Sequence, residues 1–130
     1  MNKITLALVI TKPGHLRNGL QSLLRTVPQI EIIAEAHDPS VLLKMSDEIH
    51  PELILIDASV FDDINWTAIS KLKAEWPKTL MLVLTENDQQ GQSAKESGAD
   101  FTLPKGFPAA ELANLIENSL IQNLRGETNH

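Results

Sequence analysis

The sequence has no cysteine, so disulfides, thiolate metal sites and cysteine nucleophiles are all excluded. Basic residues are in the minority: 11 Lys and Arg against 17 Asp and Glu leave a formal net charge of −6 and an isoelectric point near 5.1. That balance argues against a broad electrostatic grip on nucleic acid or on an anionic membrane. Long apolar runs are also missing. Leu6 to Ile10 and Leu53 to Ile56 fall far short of the roughly 20 apolar residues that a spanning helix needs. The N-terminal run reads as a strand rather than a signal peptide, and a cytoplasmic chain is the expectation. What is present is ordinary globular composition, 42% hydrophobic and 22% charged, in 130 residues, enough for one domain with a core of its own.

Short apolar runs alternate with segments of helical period along the whole chain. Ile4 to Ile10 has almost no polar face, as expected of a strand covered on both sides. Leu16, Leu20, Leu23, Leu24 and Val27 follow at helical spacing, and Pro28 stops that helix. Ile30 to Ala36 is the second strand. Asp38 and Pro39 can open a second helix, with Val41, Leu42, Met45 and Ile49 on its inner face.

Pro51 then punctuates, and Leu53 to Ile56 forms a third strand ending at Asp57. A third helix runs from Asp62 or Asp63 to Trp76, burying Ile69, Leu72 and Trp76, and Leu80 to Leu84 is the fourth strand, ending at Thr85. The stretch Asp88 to Ser97 has a fourth helix's place in the rhythm but little beyond Ala94 to bury. Gly98 fits its C-cap, and Ala99 to Leu103 is the last strand. Leu112, Leu115, Ile116, Ser119 and Leu120 mark a fifth, closing helix. Residues 1–124 are thus expected to form one domain, and 125–130 a polar tail.

Regular alternation with buried strands implies an α/β fold, a doubly wound parallel sheet covered on both faces. Function in such folds gathers at the carboxyl ends of the strands. Those ends hold Thr11 and Lys12, Asp57, Thr85, and Lys105 after Pro104. Singly, each has a plain structural role open to it: a cap or turn for Asp57, a strand-end hydroxyl for Thr85, a solvated lysine for Lys105. Together an anion, a hydroxyl and a cation can converge on one point.

The order and spacing of several strings resemble the receiver domain of response regulators, in the NarL/FixJ-like subclass that usually precedes a helix-turn-helix output domain. The strings are Leu16-Arg17-Asn18-Gly19-Leu20, Ile32 to Ala36, Pro51 to Asp57, Leu82 to Thr85, and Gly98-Ala99-Asp100 followed by Lys105. The resemblance covers about Ile4 to Leu120. It implies a five-stranded, flavodoxin-like sheet of strand order 2-1-3-4-5. It also implies an Asp57 that accepts a phosphoryl group from a histidine kinase, a Thr85 that bonds a phosphoryl oxygen, and a Lys105 that pairs with its charge.

The family also holds Mg²⁺ with two adjacent carboxylates after the first strand, and here those positions are Thr11 and Lys12. Mg²⁺ takes hard oxygen ligands, usually with one or two carboxylates, so the metal has lost its anchor and no cofactor is expected. Two placements are open for Lys12: turned inward to pair with Asp57 where the metal would sit, or pointing to water on its flexible stem. Glu86 follows Thr85 where the family usually has a small residue, and a carboxylate there can crowd the entrance and repel a phosphoryl group. Thr102 stands where many receivers carry an aromatic switch residue.

Asp62 and Asp63 suit a helix N-terminus better than a metal, and His15, His37 and His50 form no ligand spacing. A cobalamin-binding Asp-x-His-x-x-Gly string is broken by Pro13 and Asn18 around His15, and no glycine-rich phosphate loop follows the first strand.

Two functions follow as expectations. The first is a degenerate receiver, a binding module and not an enzyme. It would act through a protein partner or a homodimer at the face of the fourth helix, fifth strand and fifth helix, without direct nucleic-acid binding. The second is a phospho-acceptor at Asp57 in which Lys12 replaces part of the metal's charge, although an ammonium cannot bridge protein and donor oxygens as a metal does. No helix-turn-helix region is read after the receiver-like part.

Overall fold

The computed structural model describes residues 5–12, 14–27, 30–36, 50–60, 66–106, 108 and 110–118. Its elements run β1 (Thr5–Ile10), α1 (His15–Thr26), β2 (Ile30–Ala36) and β3 (Leu53–Asp57), then a 3₁₀ turn (Ala58–Val60). α2 (Thr67–Glu75), β4 (Leu80–Thr85), α3 (Asp88–Ser97) and β5 (Phe101–Pro104) follow, and residues 110–118 form α4. The second helix expected over Val41 to Ile49 lies outside the described residues, as do Asp38, Pro39, Asp62, Asp63, Ser119, Leu120 and the tail. The helices α2, α3 and α4 are therefore the third, fourth and fifth of those expected from sequence.

The sheet order is β2-β1-β3-β4-β5 and every pairing is parallel, the doubly wound, flavodoxin-like arrangement. Strand periodicity sorts the core into two layers. Leu8, Ile10, Ile54, Ile56, Met81 and Val83 meet Ile69, Leu72 and Ala94 of α2 and α3. Ala7, Val9, Leu53, Leu55, Leu82 and Leu84 meet Leu20 and Leu24 of α1 and Leu112 and Ile116 of α4. Both faces of β3 and β4 are buried, which is why these strands carry no polar alternation.

The onset of β5 differs from the sequence reading. β5 is Phe101–Pro104 rather than Ala99 to Leu103, because the Ala99 N–H donates to Ala94 O at 3.0 Å and so belongs to the turn that closes α3. Asp57 is the last residue of β3, paired with Leu84. The N-cap of α3 is Asn87, whose side-chain oxygen accepts the Gln90 N–H at 2.8 Å. Gly98 closes α3 in the left-handed conformation (φ 118°), as expected. Trp76 is buried and Trp66 is half-buried against the layer that contains α2. Among the described residues no helix is long and apolar enough to cross a membrane.

Candidate functional site

Three strand ends and one helix start meet at the carboxyl edge of the sheet. Thr11 and Lys12 follow β1 directly, β3 ends in Asp57, and Lys105 follows β5 directly. Gly14, with φ 148°, turns the chain into α1 without a side-chain cap. Lys12, Gly14, His15, Leu16, Asp57, Lys105 and Gly106 line one open cleft of about 450 Å³. Of the three groups expected to converge, Asp57 and Lys105 line this cleft together, and Thr85 is not among its lining residues.

Asp57 is nearly fully buried, its side chain only 6% exposed, and both its oxygens have partners. Oδ1 receives the Lys105 ammonium at 2.7 Å and the Ser59 N–H at 3.0 Å, and Oδ2 receives the Ser59 hydroxyl at 2.7 Å. Burial alone would raise the Asp57 pKa. The hydrogen bonds from Lys105 and Ser59, together with the ammonium's charge, outweigh burial and hold the carboxyl below its ordinary value. Burial alone would likewise lower the Lys105 pKa, but its hydrogen bonds to Asp57 and Glu86 and their charges raise it above the usual lysine value. The two shifts agree: the site is a charged pair.

Glu86 is not among the residues lining the cleft but reaches the same lysine. Its Oε1 lies 3.1 Å from Lys105 Nζ, so one ammonium bridges two carboxylates. Thr85 is buried at the end of β4, where its carbonyl accepts the Lys105 N–H at 2.7 Å and its hydroxyl points to Leu103 O at 3.4 Å. Thr102 is half-buried on β5 beneath α3, 3.7 Å from where a Cβ on Gly91 would lie, and is not part of the cleft lining.

Lys12 is exposed on the cleft wall and makes no ion pair among the described residues, so of its two placements the structure shows the solvated one. Thr11 is fully buried and belongs to a different network. Arg17, one turn into α1, donates from Nε to Thr11 Oγ1 at 3.1 Å and from its terminal nitrogen to Thr11 O. Its Nε also lies 3.8 Å from Glu35 of β2, which accepts a hydrogen bond from Gln21.

Two contributors escaped the sequence reading. Ser59 sits two residues after Asp57, and an aspartate bonding the backbone two positions on is a known turn preference, so an Asp-x-Ser string at a strand end was a usable signal. Arg17 was legible only as part of a string, since nothing in the sequence says that it folds back onto Thr11.

Among the described residues Asp57 is the only carboxylate lining the cleft, and no group of three or more His, Cys, Asp and Glu suited to a metal occurs among them.

No family model matches the chain. It is 32% identical over 111 residues to the transcriptional regulatory protein LiaR of Bacillus subtilis (strain 168), covering 84% of this chain and 53% of that protein. The chain spans about half the length of the curated relatives it matches. Among solved structures, a LuxR-family two-component response regulator from Aurantimonas sp. SI85-9A1 superposes with a TM-score of 0.78 at 23% identity, over 93% of this chain and 87% of that one. A putative pilus assembly-related protein from Burkholderia pseudomallei K96243 superposes with a TM-score of 0.81 at 17% identity, over 92% and 91%. The sequence relatives are response regulators, and the structural neighbours share this fold.

Proposed function

We propose that this chain, whose sequence relatives and fold support a receiver-domain identity, is an atypical receiver module of a two-component or phosphorelay system. It works by protein–protein contact, not by metal-dependent phosphoryl transfer. One observation carries the reading: the positions of the acidic pair hold a buried Thr11 tied to Arg17 and an exposed Lys12. Asp57 is left with an ammonium and a serine as its partners. An acyl-phosphate site needs a carboxylate oxygen free to attack and a dication to gather the transferring oxygens. Here both oxygens of Asp57 are engaged, and the remaining ligands do not suit the dication.

The contact surface in this reading is the face of α3, β5 and α4, which binds a protein partner or a second copy of the chain. The polar α3 buries only Ala94 and so leaves most of its surface for contact. The reading places the module in the cytoplasm, and a histidine kinase stays among its possible partners.

A second reading keeps Asp57 as the phospho-acceptor and is favoured by Lys12 lining the same cleft. Intact-mass analysis after incubation with acetyl phosphate, with and without Mg²⁺, separates the two. No mass gain in either condition is expected. A phosphoryl adduct that disappears in Asp57→Asn would overturn the first reading and establish the second.

A further inference from the structure

The turn between β4 and α3 fixes Glu86 from both sides. Its N–H donates to Gln90 Oε1 at 2.7 Å, and the Gln90 N–H donates to the N-cap Asn87 Oδ1 at 2.8 Å, a capping arrangement in which the Gln90 side chain reaches one residue beyond the cap. With its backbone held in this way, Glu86 reaches across to Lys105 Nζ at 3.1 Å, on the ammonium that already holds Asp57 at 2.7 Å. Two carboxylates sharing one ammonium repel each other unless the cation stays between them, so Lys105 is pinned by both.

We propose that Glu86 is an internal ligand of this site: its carboxylate occupies the place on Lys105 that an external oxyanion beside Asp57 would take. The turn that opens α3 is thereby joined to the turn that follows β5 by a group of the chain's own. The proposal rests on the reading of the site as one that works without phosphoryl transfer, and it names what regulates that site. The oxyanion that competes with Glu86 is small, phosphate-like and met by Lys105, with Lys12 and His15 also lining the cleft. Glu86 is 55% exposed, so it yields to a competitor more readily than buried Asp57 does.

Orthophosphate is the probe, because it cannot phosphorylate Asp57, and failure of this inference therefore stays distinct from failure of the functional reading. The measurement is the shift of the Lys105 ammonium and of the amides of Glu86, Asn87 and Gly106 by NMR during phosphate titration of the full chain. Glu86→Gln keeps the size of the side chain and removes its charge. The expected result is a saturable response at these groups in Glu86→Gln with a dissociation constant about fivefold lower than in the unaltered protein. In Glu86→Gln/Lys105→Met the response is lost. Equal affinity with and without the Glu86 charge, no saturable response in Glu86→Gln, or a response that survives loss of Lys105 would each overturn the proposal.

Discussion

Removing the Lys105 ammonium tests the electrostatics of the site most directly. In Lys105→Met the buried Asp57 keeps the Ser59 N–H at 3.0 Å and the Ser59 hydroxyl at 2.7 Å but loses the cation at 2.7 Å. Two unit charges about 4 Å apart are worth ~4 kcal/mol at an effective dielectric near 20. Part of that is offset because the ammonium no longer has to be desolvated, and Lys105 is 26% exposed to begin with. A net loss of about 1–3 kcal/mol follows. For a domain of this size that lowers the melting temperature by roughly 5–10 °C.

The loss depends on pH, with a definite sign. Asp57 is held below its ordinary value, so its contribution is complete above the unfolded carboxylate pKa and is lost as pH falls through the folded one. Without Lys105 only burial and Ser59 act on Asp57, and protonation relieves the unpaired charge. The stability curves of the two proteins therefore converge as pH falls from 7 through the ordinary carboxylate value and on below the folded Asp57 value. Urea denaturation across that range measures this. Asp57→Asn/Lys105→Met, which leaves no buried unpaired charge and only the exposed Glu86 carboxylate without its cation, should recover most of the loss. A deficit that stays the same at both ends of the pH range, or no deficit at all, refutes the reasoning.

Two further predictions concern the scaffold. Leu55 has no exposed surface and sits mid-sheet against the α1 and α4 layer, so Leu55→Ala should cost about 2–5 kcal/mol in urea denaturation, and a cost under about 1 would contradict the packing. Gly98→Ala must adopt φ 118° and should lose about 1–2 kcal/mol. Gly91→Ala, inside α3 with its Cβ in ordinary contact with Thr102, should be neutral or stabilising, and equal thermal shifts for the two variants would contradict the conformational argument.

The fold was legible because burial on both faces leaves a simple signature. Val9, Ile54 and Val83 sit in unbroken apolar runs, and such runs alternating with helical periods admit few topologies. The place of the site was legible for the same reason, since strand ends in this topology converge, and Asp57 and Lys105 do meet there. What escaped were side-chain choices among alternatives of similar energy. Glu86 reads as a repelling charge until its backbone is seen to be held by Gln90 and its side chain to reach Lys105. Lys12 had two placements open, and in the structure it is exposed on the cleft wall. The onset of β5 was misjudged because Ala99 suits a strand by type but is taken by the closing turn of α3.

The unequal anchoring of α3 has a mechanical consequence. At its C-terminal end the helix is tied down by buried Ala94, by the Ser70 hydroxyl on Ser97 O at 2.8 Å, and by Lys73, which joins α2 to Asp100 at 2.8 Å just beyond Gly98. At its N-terminal end the described hydrogen bonds are those of the turn of Glu86, Asn87 and Gln90, with Glu86 also paired to Lys105. A ten-residue helix is about 15 Å long, so a tilt of ~10° about the fixed end swings the free end by roughly 2.5 Å. With Ser97 as the pivot, a displacement at Glu86 would be carried along the exposed row of Gln89 and Gln92 in proportion to each residue's distance from that pivot.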